Sequence, residues 1–148
     1  EGLGTGVISD EQTSLADRVL VMRSLTVSSE MVPWSRVSCI NLNTPAKERN
    51  AALRNSPHTR FPVVDDAGKV QGVLPVIGVL LNQTKTTQEL TESVYSIPAS
   101  TPVGRAISQV RESGLMMAIV TSPDSDKPLG IVTLKDLVEP LVGELAAW

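Results

Sequence analysis

The chain has 148 residues, 41% hydrophobic and 3% aromatic, with a net charge of −3; it is long enough for one domain or two small repeats around an aliphatic core. Its 13 Lys and Arg are scattered and its aromatics few, which argues against nucleic acid, a partner that needs a basic stripe and stacking rings. The longest apolar run, Gly72 to Leu81, is about half of the roughly 20 residues needed to span a bilayer, and no signal-peptide pattern opens the chain.

Residues 1–28 read as a glycine-spaced linker followed by a connecting helix over about 10–24, capped by Ser9 or Asp10, with Leu15, Val19 and Met22 near helical spacing. Val27 to Pro33 reads as a connector. An internal repeat then fills the chain, residues 29–90 and 91–148. Each copy has an extended piece starting near Ile40 or Ser96, then a Thr-Pro pair, Thr44-Pro45 or Thr101-Pro102, opening a helix. There the hydroxyl is expected to cap an orphan N–H, with proline at the first helical position. In the second copy Val103, Ala106, Ile107 and Val110 form one apolar stripe.

A short apolar strand follows each helix, FPVVD from Phe61 and MAIVT from Met117, then a polar turn, DDAGK or SPDSDKP, then VQGVL from Val70 or LGIVT from Leu129. Helices over about 76–82 and 134–145 close the copies, the last interrupted by Pro140, which removes a bond to the Asp136 carbonyl and is expected to kink it. The fold class is therefore α/β (α+β): tandem strand-helix-strand-strand-helix repeats packed face to face with pseudo-twofold symmetry, any ligand lying in the groove between them. Cys39 reads as an inert buried thiol. With one cysteine and one histidine, His58, there is no disulfide, zinc site or nucleophile-base pair, so the chain does not read as an enzyme.

SEMVPWSRV (29–37), SPHTRFPVVD (56–65) and GLMMAIVTSPDSDKPLGIVTLKDLVEPLVGEL (114–145) resemble the paired CBS, or Bateman, module of CorC-type and cyclin-M-type magnesium and cobalt transport proteins. The resemblance covers essentially the whole chain. It implies a homodimeric disc on the cytosolic side of a membrane transport domain, binding an adenine nucleotide, AMP or ATP with Mg²⁺. It also implies that the chain is a piece of a longer membrane protein.

Thr133 and Asp136 in GIVTLKDL have two readings. T-x-x-D is a capping box, each side chain satisfying a backbone N–H. Alternatively the helix start faces a phosphate, Thr133 donates to it, and Asp136 accepts from the ribose hydroxyls; the resemblance favours this ligand reading. A helix N-terminus contributes only about 0.3–1 kcal/mol to an exposed anion, against about 8 kcal/mol for micromolar binding. The remainder is assigned to Arg60 on phosphate, worth roughly 1.5–3 kcal/mol per charged bond. His58, Thr59, Phe61 and Pro62 are expected to wall the adenine, and Val32 and Pro33 to add main-chain contacts. Val32 stands where the family often has Thr, Lys135 where it has an acid, and SPDSDKP replaces its acidic, glycine-bearing turn.

In the first copy Pro75 and Gly78 occupy the places of Thr133 and Asp136. Proline has no hydroxyl and glycine no acid, so one nucleotide site per chain is expected. The rival reading is a ligand-free structural dimerisation domain in which Thr133 and Asp136 only cap a helix.

Overall fold

The computed structural model of the chain describes residues 15–17, 20 and 24–146. Leu15–Asp17, Leu20 and Ser24 are helical; the remainder of the helix expected over 10–24, with Val19, Met22 and the Ser9 or Asp10 cap, lies outside the described residues. The elements that follow are α1 (Val27–Glu30), β1 (Val32–Pro33), a 3-10 turn (Trp34–Arg36), β2 (Ile40–Asn41), α2 (Ala46–Arg54), β3 (Arg60–Val64), β4 (Val70–Pro75) and α3 (Val76–Leu81). After them come α4 (Thr87–Leu90), β5 (Tyr95–Pro98), α5 (Val103–Ser113), β6 (Met117–Thr121), β7 (Pro128–Thr133) and α6 (Leu134–Ala146).

The repeat is therefore β2-α2-β3-β4-α3 followed by β5-α5-β6-β7-α6. In each copy the first strand runs parallel to the second and the hairpin is antiparallel. The hairpin register slips once in each copy, between Val63 and Val64 and between Val120 and Thr121. This shared bulge shows that the halves are alike in backbone detail as well as in element order. α6 is assigned as one helix through Pro140, which forfeits one backbone bond there.

The two cores differ. The second gathers Ile97, Val103, Ala106, Val110, Ala118, Val120, Val132 and Leu137, all of them buried, and the predicted stripe of α5 supplies three. Its fourth member, Ile107, is partly buried at the margin. The first core is smaller, with Ile40, Leu53, Phe61, Val63, Leu74 and Val79.

Both Thr-Pro pairs are displaced by one position from the expected cap. The helices begin at Ala46 and Val103, Pro45 and Pro102 hold the N-cap position with ψ of 147° and 144°, and neither helix has a side-chain cap. Proline's fixed φ and extended ψ suit a residue entering a helix, and the residue before proline is steered away from helical geometry. Thr44 and Thr101 thus sit one residue too early to reach the orphan N–H groups.

Each half also edges the sheet of the other. β1, which leads into the first repeat, pairs with β7 and completes the order β1-β7-β6-β5. Glu92, which leads into the second repeat, exchanges two backbone bonds of 2.8 and 2.9 Å with Val73 of β4. α1, unforeseen in the connector, continues this strapping: Val27 is fully buried in the second core and its N–H bonds the Thr101 carbonyl at 2.9 Å.

A buried cation accompanies the smaller first core. Arg49 of α2 is 0% exposed. All five guanidinium donors are used: Nε and Nη2 on Asn50 Oδ1 at 3.1 and 3.0 Å, Nη2 on the Gln83 carbonyl at 3.3 Å, and Nη1 on the Lys85 carbonyl at 2.8 Å and Thr87 Oγ1 at 3.3 Å. Burial holds this guanidinium below its ordinary pKa, and the loop between α3 and α4 depends on it for its carbonyl partners. Arg49→Met is expected to destabilise the protein by about 1–2 kcal/mol, because it removes the donors that the partly buried Gln83 and Lys85 carbonyls and Thr87 Oγ1 accept from. Urea denaturation of the variant beside the parent measures this.

Candidate functional site

β7 runs into α6 without an intervening loop residue, so Thr133 ends the strand and Leu134 begins the helix. The position is fixed from two sides. Thr133 is the register partner of Met117, the first residue of β6, and the Leu134 N–H donates to the Met116 carbonyl at 2.9 Å. Three residues earlier the backbones are crowded: a Cβ on Gly130 would lie 2.4 Å from the Val32 carbonyl oxygen and 2.7 Å from Met31 Sδ. Glycine is required for β1 to lie beside β7.

Thr133 and Asp136 form a reciprocal cap. The Thr133 N–H donates to Asp136 Oδ2 at 3.0 Å and the Asp136 N–H donates to Thr133 Oγ1 at 3.1 Å, with both side chains half-buried. The chain holds a second box of the same kind for comparison. At α4, Thr86 Oγ1 accepts from the Glu89 N–H at 3.1 Å, and Glu89 Oε1 accepts from both the Thr86 N–H and the Thr86 hydroxyl at 3.0 Å. These bonds hold the exposed Glu89 carboxyl below its usual pKa.

In that box the threonine hydrogen is spent on its own partner. At Thr133 the hydroxyl accepts only, so its hydrogen, together with Asp136 Oδ1, has no partner among the described residues. The capping and ligand readings are thus compatible: the cap fixes both rotamers and leaves one donor and one acceptor at the start of a 13-residue helix. Such a pair can hold an anion and a hydroxyl side by side.

Of the other sequence candidates, Val32 and Pro33 are brought to this end of the sheet, as register partners of Ile131 and Gly130. The HTRFP segment is placed on the first sheet instead. Arg60 is the register partner of Pro75, and Val76 donates its N–H to the Thr59 carbonyl at 2.9 Å, repeating in the first copy the contact between Leu134 and Met116. Thr59 and Arg60 line a groove of about 270 Å³ with Pro75, Val76, Ile77 and Leu80.

Among the described residues no hydrogen bond or ion pair joins Arg60 to Thr133 or Asp136, and Arg60 is exposed without a carboxylate partner. Phe61 and Pro62 are buried, Phe61 in the first core, which leaves chiefly main chain to offer a ligand. His58 is exposed and meets Phe61 edge-on at 5.9 Å. Pro75 ends β4 and holds the N-cap position of α3, which has no side-chain cap. Cys39 is half-buried rather than buried, and burial pushes its thiol pKa up; a thiolate is disfavoured there.

One residue of the site escaped the sequence reading: Met116, whose carbonyl anchors the start of α6 and whose φ is +63°. Aligning MMAIV with TRFPV would have found it, since Met116 then falls on Thr59.

This interleaved pair of repeats, with a capped helix start at the end of the second hairpin, has the fold of a CBS-domain pair. Residues 88–143 match the family model of the CBS domain. Curated relatives include the uncharacterized protein Rv1841c of Mycobacterium tuberculosis, 29% identical over 98% of this chain and 44% of its own length, and the UPF0053 protein YegH of Escherichia coli, 30% identical over 94% and 27%. The chain thus spans less than half the length of either.

In fold the chain is similar to the CBS domain of the bacterial CNNM/CorC family Mg²⁺ transporter in complex with ATP, with a TM-score of 0.80 at 21% identity over 90% of this chain and 98% of that one. It is similar also to a CBS-domain pair with bound AMP from Klebsiella pneumoniae, with a TM-score of 0.72 at 22% identity over 81% and 100%.

Proposed function

We propose that this CBS pair is a non-catalytic regulatory module that binds an adenine nucleotide at Thr133 and Asp136, and that it controls a membrane Mg/Co transport domain on the same polypeptide. The observation that carries the reading is the open cap: a rotamer-locked hydroxyl and carboxylate oxygen, both unspent, at a helix start. The ATP and AMP complexes of similar folds support adenylates as the ligand class. Mg²⁺, where it accompanies ATP, would be carried on the phosphates. His58, Thr59, Arg60, Phe61, Pro62, Val32 and Pro33 remain the proposed remainder of the pocket.

The mechanism is a population shift. β1 of one repeat lies on β7 of the other, so a ligand at the end of β7 that prefers one relative arrangement of the halves biases the chain leading out through β1. No described helix is long and apolar enough to cross a membrane; the module would sit on the cytoplasmic side beside its transport domain. Ile77, Leu80 and Leu81 of α3 and Val142 of α6 are exposed apolar residues, which a second copy would cover in the homodimer we propose.

The second reading, a ligand-free dimerisation domain, is favoured by the same apolar residues and by a cap that is complete without a ligand. Calorimetric titration with ATP and with AMP, each with and without Mg²⁺, separates the two. Saturable heat from either nucleotide is expected, and a flat titration at high protein concentration leaves the structural reading in possession.

A further inference from the structure

Beside the turns of both hairpins lies a cleft of about 310 Å³, lined by both repeats. At its base is Ile119, only 1% exposed although it belongs to neither core. The strand period accounts for this. Ala118 and Val120 of β6 face the second core, so Ile119 and Thr121 face away from it, and Ser96, the register partner of Ile119 on β5, shares their face. The first repeat supplies Lys69, Val70 and Gln71, and the segment between α4 and β5 supplies Ser93 and Val94. In the β3–β4 register Val63 pairs with Gly72 and Val64 with Val70, so Gln71 is the extra residue of the bulge, a place where a strand re-aims a side chain. Asp126, from the turn of the second hairpin, completes the rim.

The polar groups of this cleft are unspent. Among the described residues the side chains of Lys69, Ser93, Ser96, Thr121 and Asp126 make no hydrogen bond or ion pair, and Gln71 uses only Nε2, on Asp65 Oδ2 at 3.0 Å. Nor is the set a product of the repeat. Matching the two hairpins by their bulges sets Gln71 on Leu129, Thr121 on Val64 and Asp126 on Gly68, and the counterpart of Ser96 on the first strand is Cys39. In each of these pairs the polar member is the one at the cleft. From this composition we infer a ligand site for a zwitterion, an α-amino acid with an aliphatic side chain, its carboxylate on Lys69, its ammonium on Asp126 and its side chain against Ile119, Val70 and Val94. A simple anion would satisfy Lys69 and meet repulsion from Asp126, and a simple cation the reverse. The site lies at the opposite end of the β6–β7 hairpin from Thr133 and does not depend on the nucleotide reading.

The test is calorimetric titration with L-alanine and L-valine, and with isovalerate and isobutylamine, which are L-valine without its amine and without its carboxylate. Saturable heat is expected from L-valine, with L-alanine weaker for want of apolar contact and both half-molecules weaker by about tenfold or more, the range of one charged hydrogen bond. Lys69→Ala and Asp126→Asn should each weaken L-valine by a similar factor. Both side chains are exposed and bonded to nothing among the described residues, so both variants should melt with the parent, and a loss of binding then reports the site. Three results overturn the inference: no saturable heat from either amino acid, an affinity that neither substitution changes, or displacement of L-valine by ATP, which would place it at Thr133 and Asp136 instead.

Discussion

Gly130→Ala is expected to cost about 3–4 kcal/mol of stability, far more than a methyl group costs on an ordinary strand, because the new Cβ meets main chain. It would fall 2.4 Å from the Val32 carbonyl oxygen, 2.7 Å from Met31 Sδ and 3.0 Å from Met31 Cγ. The thioether can swing aside, but the carbonyl moves only if β1 leaves β7. The first repeat predicts its own equivalent: a Cβ on Gly72 would lie 2.3 Å from the Glu92 carbonyl oxygen and 2.7 Å from Thr91 Cγ2, so Gly72→Ala should prise the other edge apart at similar cost. Gly78→Ala is the control. There the nearest atom is Pro75 Cγ at 3.5 Å, and alanine inside α3 should stabilise by roughly 0.5–1 kcal/mol. Urea denaturation of the three variants against the parent measures all of this; equal effects at Gly130 and Gly78 would show that the interleaved edges contribute nothing.

Those glycines also mark where the sequence is legible and where it is not. Repeats, hairpins and the α5 stripe are written in periodicity, and Val103, Ala106 and Val110 are buried where their spacing puts them. The exchanged edges are written in two residues of β1 and a single bridge at Glu92. Contacts that short have no period, and their trace is a glycine on the opposite strand. Arg49 is illegible for a related reason. Its helix, AKERNAALR, reads as polar, and the partners that satisfy the buried guanidinium lie mostly 34–38 positions away, on a loop whose fold is set by the arginine itself.

At the candidate site the Thr133–Asp136 cap was legible, since a capping box is local by nature, and the HTRFP segment falls at the start of the strand expected from Phe61. Its place follows from hairpin register, which sets Arg60 opposite Pro75. The one-residue displacement at Thr44 and Thr101 has the same origin as their prediction: the proline that announces the helix also takes the N-cap place itself.

Asp136→Asn and Asp136→Ala together divide what the aspartate does for the fold from what it does for a ligand. The carboxylate has two acceptor oxygens, one committed to the Thr133 N–H at 3.0 Å and one without a partner among the described residues. An amide has a single acceptor oxygen, so Asn can preserve the cap or accept from a ribose hydroxyl, and with the cap made it presents a donor to the sugar. Asp136→Asn is therefore expected to melt within a few degrees of the parent and to lose on the order of a hundredfold in ATP affinity, equivalent to about 3 kcal/mol of charged hydrogen bonding. Asp136→Ala should lose the same affinity and, in addition, about 1 kcal/mol of stability from the missing cap. The readout is the melting temperature of each variant over a series of ATP concentrations, which rises with ligand only where the folded state binds it. The parent curve should climb with ATP and both variant curves should begin to climb only at about hundredfold higher ATP, the alanine curve lying below the asparagine one. If parent and Asp136→Asn climb together, the free carboxylate oxygen is not a sugar ligand, and Asp136 serves the helix alone.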